Sequence, residues 1–222
     1  MSERPSEDSL AALRQEYGDA GLEADGLAPD PVSMFRRWFD EARSSGLHEP
    51  NALVVSTVGA DGMPSSRTVL LKELDERGFV FYTNYDSRKG RDLDHHPGCA
   101  LLFPWHDLER QVRVEGRAER VAPEESSAYF AQRPRGSQLG AWASPQSHEV
   151  ASRAELDERY AAAEVRFEGL EVERPPHWGG YRVVPEVVEF WQGRRGRMHD
   201  RLVYRRGSER DGQGWQVVRL AP

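Results

Sequence analysis

The stretch from Ala52 to Asn84 limits the possible folds more than any other part of the chain. It reads ALVVSTVGADGMPSSRTVLLKELDERGFVFYTN. Three runs rich in β-branched and aromatic residues are separated by GADG and DERG, which are strong turn sequences. Because turns this short join neighbouring antiparallel strands, the stretch predicts an antiparallel meander of three strands.

Further strands and helices are predicted on both sides of this stretch. The strands are expected over CALLFPW, RQVRVEGRAERV, YRVVPEVVEFWQG, RLVYRR and WQVVRLAP. The helices are expected over DPVSMFRRWFDEARSSG, SRKGRDLDHHP, PEESSAYFAQRP and SRAELDERYAAAEVRFEG, with Asp30 and Ser87 as N-caps of the first two. Since strands and helices do not alternate regularly, the pattern favours an antiparallel β-barrel with inserted helices, mainly β in the α+β class, over a doubly wound parallel sheet.

The domain organisation is predicted to be simple. Residues 1–30 are polar and are expected to form a partly flexible N-terminal segment, whereas residues 31–222 are expected to form a single domain. The chain contains no internal repeat and no low-complexity linker.

The composition excludes several classes of partner. A formal net charge of −7 argues against nucleic acid, since binding to a phosphate backbone needs a broad basic face. No apolar run approaches the roughly 20 residues of a membrane span, and the opening MSERPSEDSL lacks the apolar region of a secretory signal. A single cysteine, Cys99, excludes an internal disulfide and is typical of a cytoplasmic protein, which is the expected location.

Familiar catalytic motifs are missing from the sequence. There is no G-x-G-x-x-G after a strand, no Walker loop and no G-x-S-x-G elbow, and the seven histidines lack metal-ligand spacing. We therefore expect neither a metal site nor a serine or cysteine hydrolase.

Lysine is nearly absent from the chain. Of 30 basic residues, 28 are arginine, and the two lysines are Lys72 and Lys89. Codon bias explains why lysine is rare in this chain, but it does not explain why lysine is kept at these two positions. Because lysine offers a compact point charge that arginine does not replace, both positions are candidates for ligand contacts.

The basic residues lie in groups that suit anions. Arg67 and Lys72 are five residues apart on one predicted strand, so they should face opposite sides unless a bulge intervenes. Arg88 and Lys89 occupy the first turn of a predicted helix, where cations oppose the helix dipole unless an anion such as phosphate is bound there.

Two further clusters carry hydroxyl, guanidinium and imidazole groups. Tyr129, Arg133 and Ser137 are spaced by four residues, and a helical first half would align Tyr129 with Arg133. In FWQGRRGRMHDR, strand alternation would put Arg197, His199 and Arg201 on one face, where they would repel each other without an anion between them. These patterns predict a protein that binds one or two phosphorylated small molecules.

The motifs that carry these residues resemble those of the pyridoxamine 5′-phosphate oxidase family. They are RTVLLK, YTNYDSRKG, ERQVRVEG, YFAQRPRGSQLGAWAS, WGGYRV and EFWQG…RMHDR…W…RLAP, in the same order and almost from end to end. The resemblance implies an FMN-binding split β-barrel that forms a homodimer with FMN at the interface. It also implies oxidation of pyridoxamine or pyridoxine 5′-phosphate to pyridoxal 5′-phosphate, with O2 reduced to H2O2.

The resemblance also implies roles for individual residues. The residues expected to hold FMN are Arg67, Thr68, Val69, Leu70, Leu71, Lys72, Tyr82, Thr83, Arg88, Lys89, Gln111, Gln146, Ser147, Trp191 and Arg201, with the FMN phosphate near Arg67 and Lys89. The substrate phosphate is expected at Lys72, Tyr129, Arg133 and Ser137. Arg197 and His199 are the expected catalytic pair beside the substrate ring, and Arg14 with Tyr17 is expected to close over it.

Two alternatives remain open on the same fold. One is a non-catalytic carrier of flavin or pyridoxal phosphate, and the other is a reductase that uses another electron donor. The presence of Arg197 and His199 disfavours the first, and RPRGSQ with RMHDR disfavours the second.

Overall fold

The structure is a computed structural model that describes residues 16–18, 20–207 and 214–222. Nine strands lie in this part of the chain: β1 (Ala52–Val58), β2 (Pro64–Leu70), β3 (Glu73–Asp75), β4 (Gly78–Asn84), β5 (Gly98–Trp105), β6 (Arg110–Arg120), β7 (Trp178–Gln192), β8 (Asp200–Arg206) and β9 (Trp215–Leu220). Five α-helices accompany them: α1 (Pro31–Ser44), α2 (Arg88–His95), α3 (Pro123–Gln132), α4 (Arg135–Ala143) and α5 (Arg153–Arg166). Short 3-10 turns cover Ala24–Gly26, His106–Leu108 and Arg195–Arg197.

All strand pairs of the sheet are antiparallel, in the order β2-β1-β5-β6-β7-β4-β3. The 15-residue β7 organises the sheet. One edge of β7 pairs with β6, whereas its other edge pairs first with β4 and then with β8, which in turn pairs with β9. The sheet curls until the backbone N–H of Lys72, just after β2, donates to Val80 O on β4 at 2.9 Å. The predicted antiparallel barrel with inserted helices is confirmed.

The predicted three-strand meander is wrong in its middle run. That run divides into β2 and β3, with Leu71 and Lys72 between them in non-strand conformation. β1 and β2 form one hairpin and β3 and β4 another, and the two hairpins lie at opposite ends of the strand order. The turn at Leu71 allows the barrel to close, because it takes the chain from one end of the curled sheet to the other.

The barrel core is aromatic and is covered by α1. Pro31 begins this helix and the Asp30 side chain accepts from Ser33 N, as predicted. The Phe35 ring packs against Phe79 and Phe103 with centroids 5.1 and 4.7 Å away. Truncation of such a buried ring to alanine costs about 3–5 kcal/mol, so this contact ties α1 firmly to the sheet.

A glycine permits the bend in the longest strand pair. The register of β6 against β7 shifts between Glu115 and Gly116, which marks a β-bulge. A Cβ at Gly116 would lie 2.2 Å from Val184 O, so a larger residue would push the two strands apart. The bulge bends β6 and β7 around the barrel.

A second apolar cluster joins α3, α4 and α5 to the beginning of β7. Phe130, Leu139, Phe167 and Trp178 are buried in it. The sequence predicted α3 and α5 but not α4, whose RGSQLGAWA contains two glycines that lower helix propensity. These helices form one wall of the cleft described below. Among the described residues, no helix is both long and apolar enough to cross a membrane.

Candidate active site

An open cleft of about 720 Å³ lies between the barrel and the α3–α4 wall. Eleven of the predicted ligand-binding residues line it: Thr68, Val69, Leu70, Lys72, Tyr82, Thr83, Lys89, Tyr129, Arg133, Ser137 and Gln146. They come from segments as far apart as β2 and the loop after α4. Folding therefore brings residues predicted for two different phosphates into one cavity, and their individual roles stay predictions.

Lys89 is a buried cation at the base of the cleft. Its side chain belongs to the first turn of α2, whose N-cap Ser87 accepts from Gly90 N as predicted. Nζ donates to Thr83 Oγ1 at 2.9 Å, to Gln146 Oε1 at 3.0 Å and to Ser87 Oγ at 3.3 Å, all neutral oxygens. Burial, assisted by the positive charge of Arg67, lowers the pKa of Lys89 to about 8. A bound anion would relieve this cost of burying charge.

Gly90 allows the close approach that places Lys89. A Cβ at this position would lie 1.9 Å from Tyr85 O, so α2 could not pack against the end of β4 with any other residue there. The SRKG sequence thus supplies the cap, the cation and the close contact in four consecutive residues.

Arg67 and Lys72 do not follow the predicted strand alternation. β2 ends at Leu70, so Leu71 turns into the core and Lys72 reaches the cleft from the following turn. Arg67 lies behind the cleft rather than on its lining and donates to Thr57 Oγ1 at 2.7 Å. Arg88 is exposed and is absent from the cleft lining, although its charge is close enough to lower the pKa of Arg67, an effect secondary to burial.

Three stacked aromatic rings line the cleft. Tyr82 stacks on Tyr129 with centroids 4.0 Å apart and on Trp178 at 5.4 Å. The guanidinium of Arg133 lies 4.6 Å from the Trp178 ring centroid. Burial raises the pKa of both tyrosines, so each phenol keeps its proton as a hydrogen-bond donor.

Arg133 contains a buried polar atom that lacks a partner. Its Nη1 has no hydrogen-bond partner among the described residues. The prediction that a helix aligns Tyr129 with Arg133 is wrong in detail, since α3 ends at Gln132 and Arg133 has extended backbone with ψ 147°. Both side chains nevertheless reach the cleft. An orphaned guanidinium N–H, a stacked ring wall and hydroxyl donors fit a phosphorylated aromatic ligand.

The predicted catalytic pair lies at the other end of β7. His199 packs against Trp191 with ring centroids 4.6 Å apart and against Tyr17 at 5.4 Å. The backbone N–H of Arg194 donates to His199 Nδ1 at 3.1 Å, so a neutral ring carries its proton on Nε2. Burial, together with the charge of Arg197, lowers the pKa of His199 and favours this neutral form.

Arg197 is held in an unusual backbone conformation. It lies in the 3-10 turn with φ 62°, in the left-handed region that a non-glycine residue rarely adopts. Its side chain is exposed. A left-handed backbone conformation costs energy in a non-glycine residue. An exposed arginine held in such a conformation is typical of a functional position.

The prediction that Arg197, His199 and Arg201 share a strand face is wrong. β8 begins only at Asp200, so strand alternation does not reach Arg197 or His199. Arg201 forms a two-pronged pair with Glu189 on β7, through Nε at 2.9 Å and Nη2 at 3.1 Å. The sequence predicted an anion beside Arg201, and in the structure this anion is the carboxylate of Glu189 rather than a ligand.

The remaining predicted residues lie apart from the cleft. Gln111 is aligned with Trp191, and Trp191 with Arg201, in the registers of β6, β7 and β8. Ser147 follows the cleft residue Gln146 with φ 69°. Arg14 lies outside the described residues.

Within one chain the predicted site is therefore divided. Thr83 pairs with Gly179 near the beginning of β7, whereas Trp191 lies near its end. The intervening strand corresponds to a path of about 40 Å at the usual rise per residue. The two groups of predicted residues therefore lie at different ends of β7 within one chain.

Sequence reasoning missed two residues of this region. Trp178 lies in the WGGYRV motif and stacks in the cleft, and Asp92 contacts Arg67 from α2. Sequence patterns indicate a ligand-binding role for these two residues only weakly, because a tryptophan in a strand and an acid in a helix ordinarily have structural roles.

Comparisons with known proteins show which family the chain resembles. A family model described as "Pyridoxamine 5′-phosphate oxidase" matches residues 39–168, and one described as "Pyridoxine 5′-phosphate oxidase C-terminal dimerisation region" matches residues 178–222. The pyridoxine/pyridoxamine 5′-phosphate oxidase of Rubrobacter xylanophilus is 62% identical over 213 residues, 96% of each chain. The protein of the same name from Burkholderia multivorans is 58% identical over 214 residues, 96% of this chain and 99% of its own.

Solved structures share the fold. PhzG from Burkholderia lata, crystallised with tetrahydrophenazine-1-carboxylic acid, superposes with a TM-score of 0.85 at 30% identity, covering 93% of this chain and 100% of its own. An FMN-binding protein from Nostoc punctiforme related to pyridoxamine 5′-phosphate oxidase has a TM-score of 0.69 at 16% identity, covering 88% of this chain and 100% of its own. The second likeness concerns the fold alone.

Proposed function

This chain belongs to the pyridoxamine 5′-phosphate oxidase family, and from that premise we propose that it oxidises pyridoxamine or pyridoxine 5′-phosphate to pyridoxal 5′-phosphate. The amine, O2 and water would give the aldehyde, ammonia and H2O2, and the alcohol and O2 would give the aldehyde and H2O2. FMN is the cofactor of the proposed reaction and supplies its two-electron redox chemistry when bound.

The observation that carries this proposal is the set of cations in the cleft. Lys89 is buried among neutral oxygens, Arg133 has an orphaned buried N–H, and Lys72 is exposed on the cleft lining. A protein retains such groups where a ligand anion completes them. Two phosphorylated aromatic molecules, FMN and the substrate, supply two such anions.

We assign the two phosphates to different parts of the cleft. The FMN phosphate would lie on the α2 side, between Lys89 on the cleft lining and Arg67 beside it, whose charge is close enough to add to the burial that lowers the pKa of Lys89. The substrate phosphate would lie at Arg133, Tyr129, Ser137 and Lys72, where the stacked rings hold Arg133 and Tyr129 in place. Because the substrate phosphate is remote from the reacting carbon, its binding energy serves to position that carbon.

The catalytic half of the site would come from a second copy of the chain. Trp191, Arg197 and His199 lie at the far end of β7, within the region matched by the dimerisation model. In a homodimer, this end of one protomer would cover the cleft of its partner. Arg197 would bracket the substrate ring, and His199 would donate a hydrogen bond from Nε2 to the substrate oxygen or nitrogen.

The test is a visible spectrum of the purified protein, followed by addition of pyridoxamine 5′-phosphate without oxygen. Bleaching of the flavin bands, and release of H2O2 once air is admitted, is the expected result. A colourless protein, or a yellow protein whose bands persist with either phosphorylated substrate, would contradict the proposal. Tetrahydrophenazine-1-carboxylic acid, the PhzG ligand, is the control compound, since it carries a carboxylate and no phosphate.

A further inference from the structure

A buried polar network lies behind the cleft, between β1, β2 and α2. The Asp92 carboxylate of α2 is 7% exposed and accepts from Thr57 Oγ1 at 2.7 Å and from Ser65 Oγ at 3.1 Å. Arg67 donates to the same two hydroxyls, from Nη1 to Thr57 at 2.7 Å and from Nη2 to Ser65 at 2.5 Å. The nearest distance between Arg67 Nη2 and the Asp92 carboxylate is 3.9 Å.

The direction of these hydrogen bonds depends on Asp92. A hydroxyl has one proton to donate, and Thr57 and Ser65 both donate theirs to the carboxylate. Their oxygens therefore present only lone pairs to Arg67, which is the arrangement that holds a guanidinium in place. An amide at position 92 could instead donate to a hydroxyl and turn its proton toward Arg67.

The network leaves part of the Arg67 guanidinium available. Nη1 donates to Thr57 Oγ1 and to Val55 O at 3.3 Å, and one Nη2 proton goes to Ser65. Nε–H and the second Nη2 proton have no partner among the described residues. A guanidinium that is fixed on one side and has two open donors is suited to a phosphate oxygen.

We propose that Asp92 is a positioning residue for the phosphate seat, the pair of cations formed by Arg67 and Lys89. Asp92 acts through Thr57 and Ser65, which hold Arg67 beside Lys89. The inference rests on the proposed function, because it takes the bound phosphate to be that of FMN. In this proposal Asp92 does not contact the phosphate and acts only through Thr57, Ser65 and Arg67.

Asp92 has two opposing effects on FMN affinity, and they predict opposite results when its charge is removed. Its negative charge repels a phosphate, so electrostatics alone would make FMN bind more tightly once the charge is removed. Its hydrogen bonds restrict an arginine side chain that otherwise has several rotatable bonds, so loss of positioning would make FMN bind more weakly. We infer that positioning dominates, because Arg67 is only 21% exposed and is held by two hydroxyls.

The experiment compares the affinity of the full-length protein for FMN and for riboflavin, measured by flavin fluorescence. In Asp92→Asn we expect the FMN Kd to rise about tenfold, as for loss of a charge-assisted contact, and the riboflavin Kd to stay the same. Asp94→Asn is the matched control on the same helix, since Asp94 pairs with Arg120 at 2.7 Å outside the network. It should leave both constants unchanged.

A double-mutant cycle separates positioning from a general structural effect. In the Arg67→Met background, Asp92→Asn should add no further loss of FMN affinity, because its effect passes through Arg67. Ser65→Ala, which removes one hydroxyl and keeps the carboxylate, should weaken FMN but not riboflavin. This variant tests the network even if Asp92→Asn does not fold.

Several outcomes would overturn the inference. They are unchanged or tighter FMN binding in Asp92→Asn and Ser65→Ala, an equal loss of riboflavin binding, or full additivity with Arg67→Met. A wild-type protein that binds riboflavin as tightly as FMN would instead overturn the phosphate seat, and with it the proposed function. The two failures are thus distinguishable.

Discussion

Basic side chains in the cleft and at the far end of β7 have different partners. At the Trp178 end, Lys89 and Arg133 lie partly or fully buried with no carboxylate partner among the described residues. At the Gln192 end, Arg201 pairs with buried Glu189, and Arg194 pairs with buried Asp200 at 3.2 Å. The two cleft cations thus lack a protein anion in the described part of the chain, although Arg182 of β7 nearby pairs with Asp75 and Glu125. At the Gln192 end, the chain itself supplies the carboxylates. We call the cleft side of β7 the open end and the Gln192 side the paired end.

The paired end also holds part of the N-terminal segment. The Asp200 carboxylate accepts from Leu22 N at 3.0 Å and from Arg194 and Arg219. Burial acts to raise the pKa of Asp200, but these hydrogen bonds outweigh it and lower the pKa below its ordinary value. Asp200 thus anchors the chain near Tyr17, whose ring packs on Trp191 and His199.

This contrast teaches that charge alone does not identify a ligand site. Both ends are rich in arginine, and the sequence predicted anion binding at both. Ion pairs convert one cluster into a scaffold that places Trp191, His199 and Arg197, while the other cluster keeps its donors for a ligand.

The largest expected effect is at Arg197, the exposed cation of the paired end. Arg197→Met should lower kcat/KM for pyridoxamine 5′-phosphate about 100-fold, the size expected when a substrate ring is misplaced, with flavin retained. Steady-state kinetics and the visible spectrum measure the two quantities. Arg195→Met, in the same turn, is the matched control and should have little effect; equal losses in both variants would remove the special role of Arg197.

The next effect concerns the orphaned guanidinium of the open end. Arg133→Met keeps much of the side-chain volume but removes the charge, so KM for the phosphorylated substrate should rise about 30-fold with kcat less affected. Turnover of unphosphorylated pyridoxamine provides the control, because it should be equally poor in both proteins. If the variant discriminates between ester and free amine as the wild type does, Arg133 does not bind the phosphate.

A pH effect of about tenfold is expected at Lys89. Because its pKa in the free protein is about 8, FMN affinity should fall about tenfold from pH 7 to pH 9 as Nζ loses its proton. Since the unfolded chain would keep that proton up to the ordinary value of 10.5, this group makes the free protein more stable as pH rises from about 8 to 10.5. Fluorescence titrations at several pH values measure the binding.

The matched control uses the two lysines of the chain. Lys89→Met should flatten the pH dependence of FMN binding, whereas Lys72→Met should retain it. NMR of ¹³C-methylated lysines can follow both side chains directly, since Lys72 and Lys89 are the sole lysines in the sequence. A Lys89 resonance that titrates at its ordinary pKa would contradict the assignment.

The smallest effect is one of stability at the paired end. Glu189→Gln removes the charge that faces Arg201 and Arg113. Because both arginines are partly exposed, the free energy of unfolding should fall by about 1 kcal/mol and Tm by about 2–4 °C. Glu76→Gln is the control, since Glu76 is an exposed partner of Arg36 outside this network, and it should leave Tm unchanged. Equal melting temperatures for Glu189→Gln and wild type would contradict the scaffold role.

Much of the fold was readable from local patterns. Asp30 with Pro31, and Ser87, marked helix starts that the structure confirms, because caps depend on residues close in sequence. α4 and the break at Leu71 were missed, because each is decided by packing against distant segments rather than by its own residues. The same reason explains Trp178 and Asp92, whose importance comes only from the side chains they meet.

Local patterns were enough to predict the barrel class, the starts of α1 and α2, and which residues could carry positive charge toward an anion. Only the tertiary structure decided which of those charges are free, since Glu189 and Arg201 or Asp92 and Arg67 become neighbours through strand register and helix packing. A local sequence pattern shows which hydrogen bonds and charges a side chain can offer. The residues that the side chain contacts in the folded protein determine whether these groups remain available to a ligand.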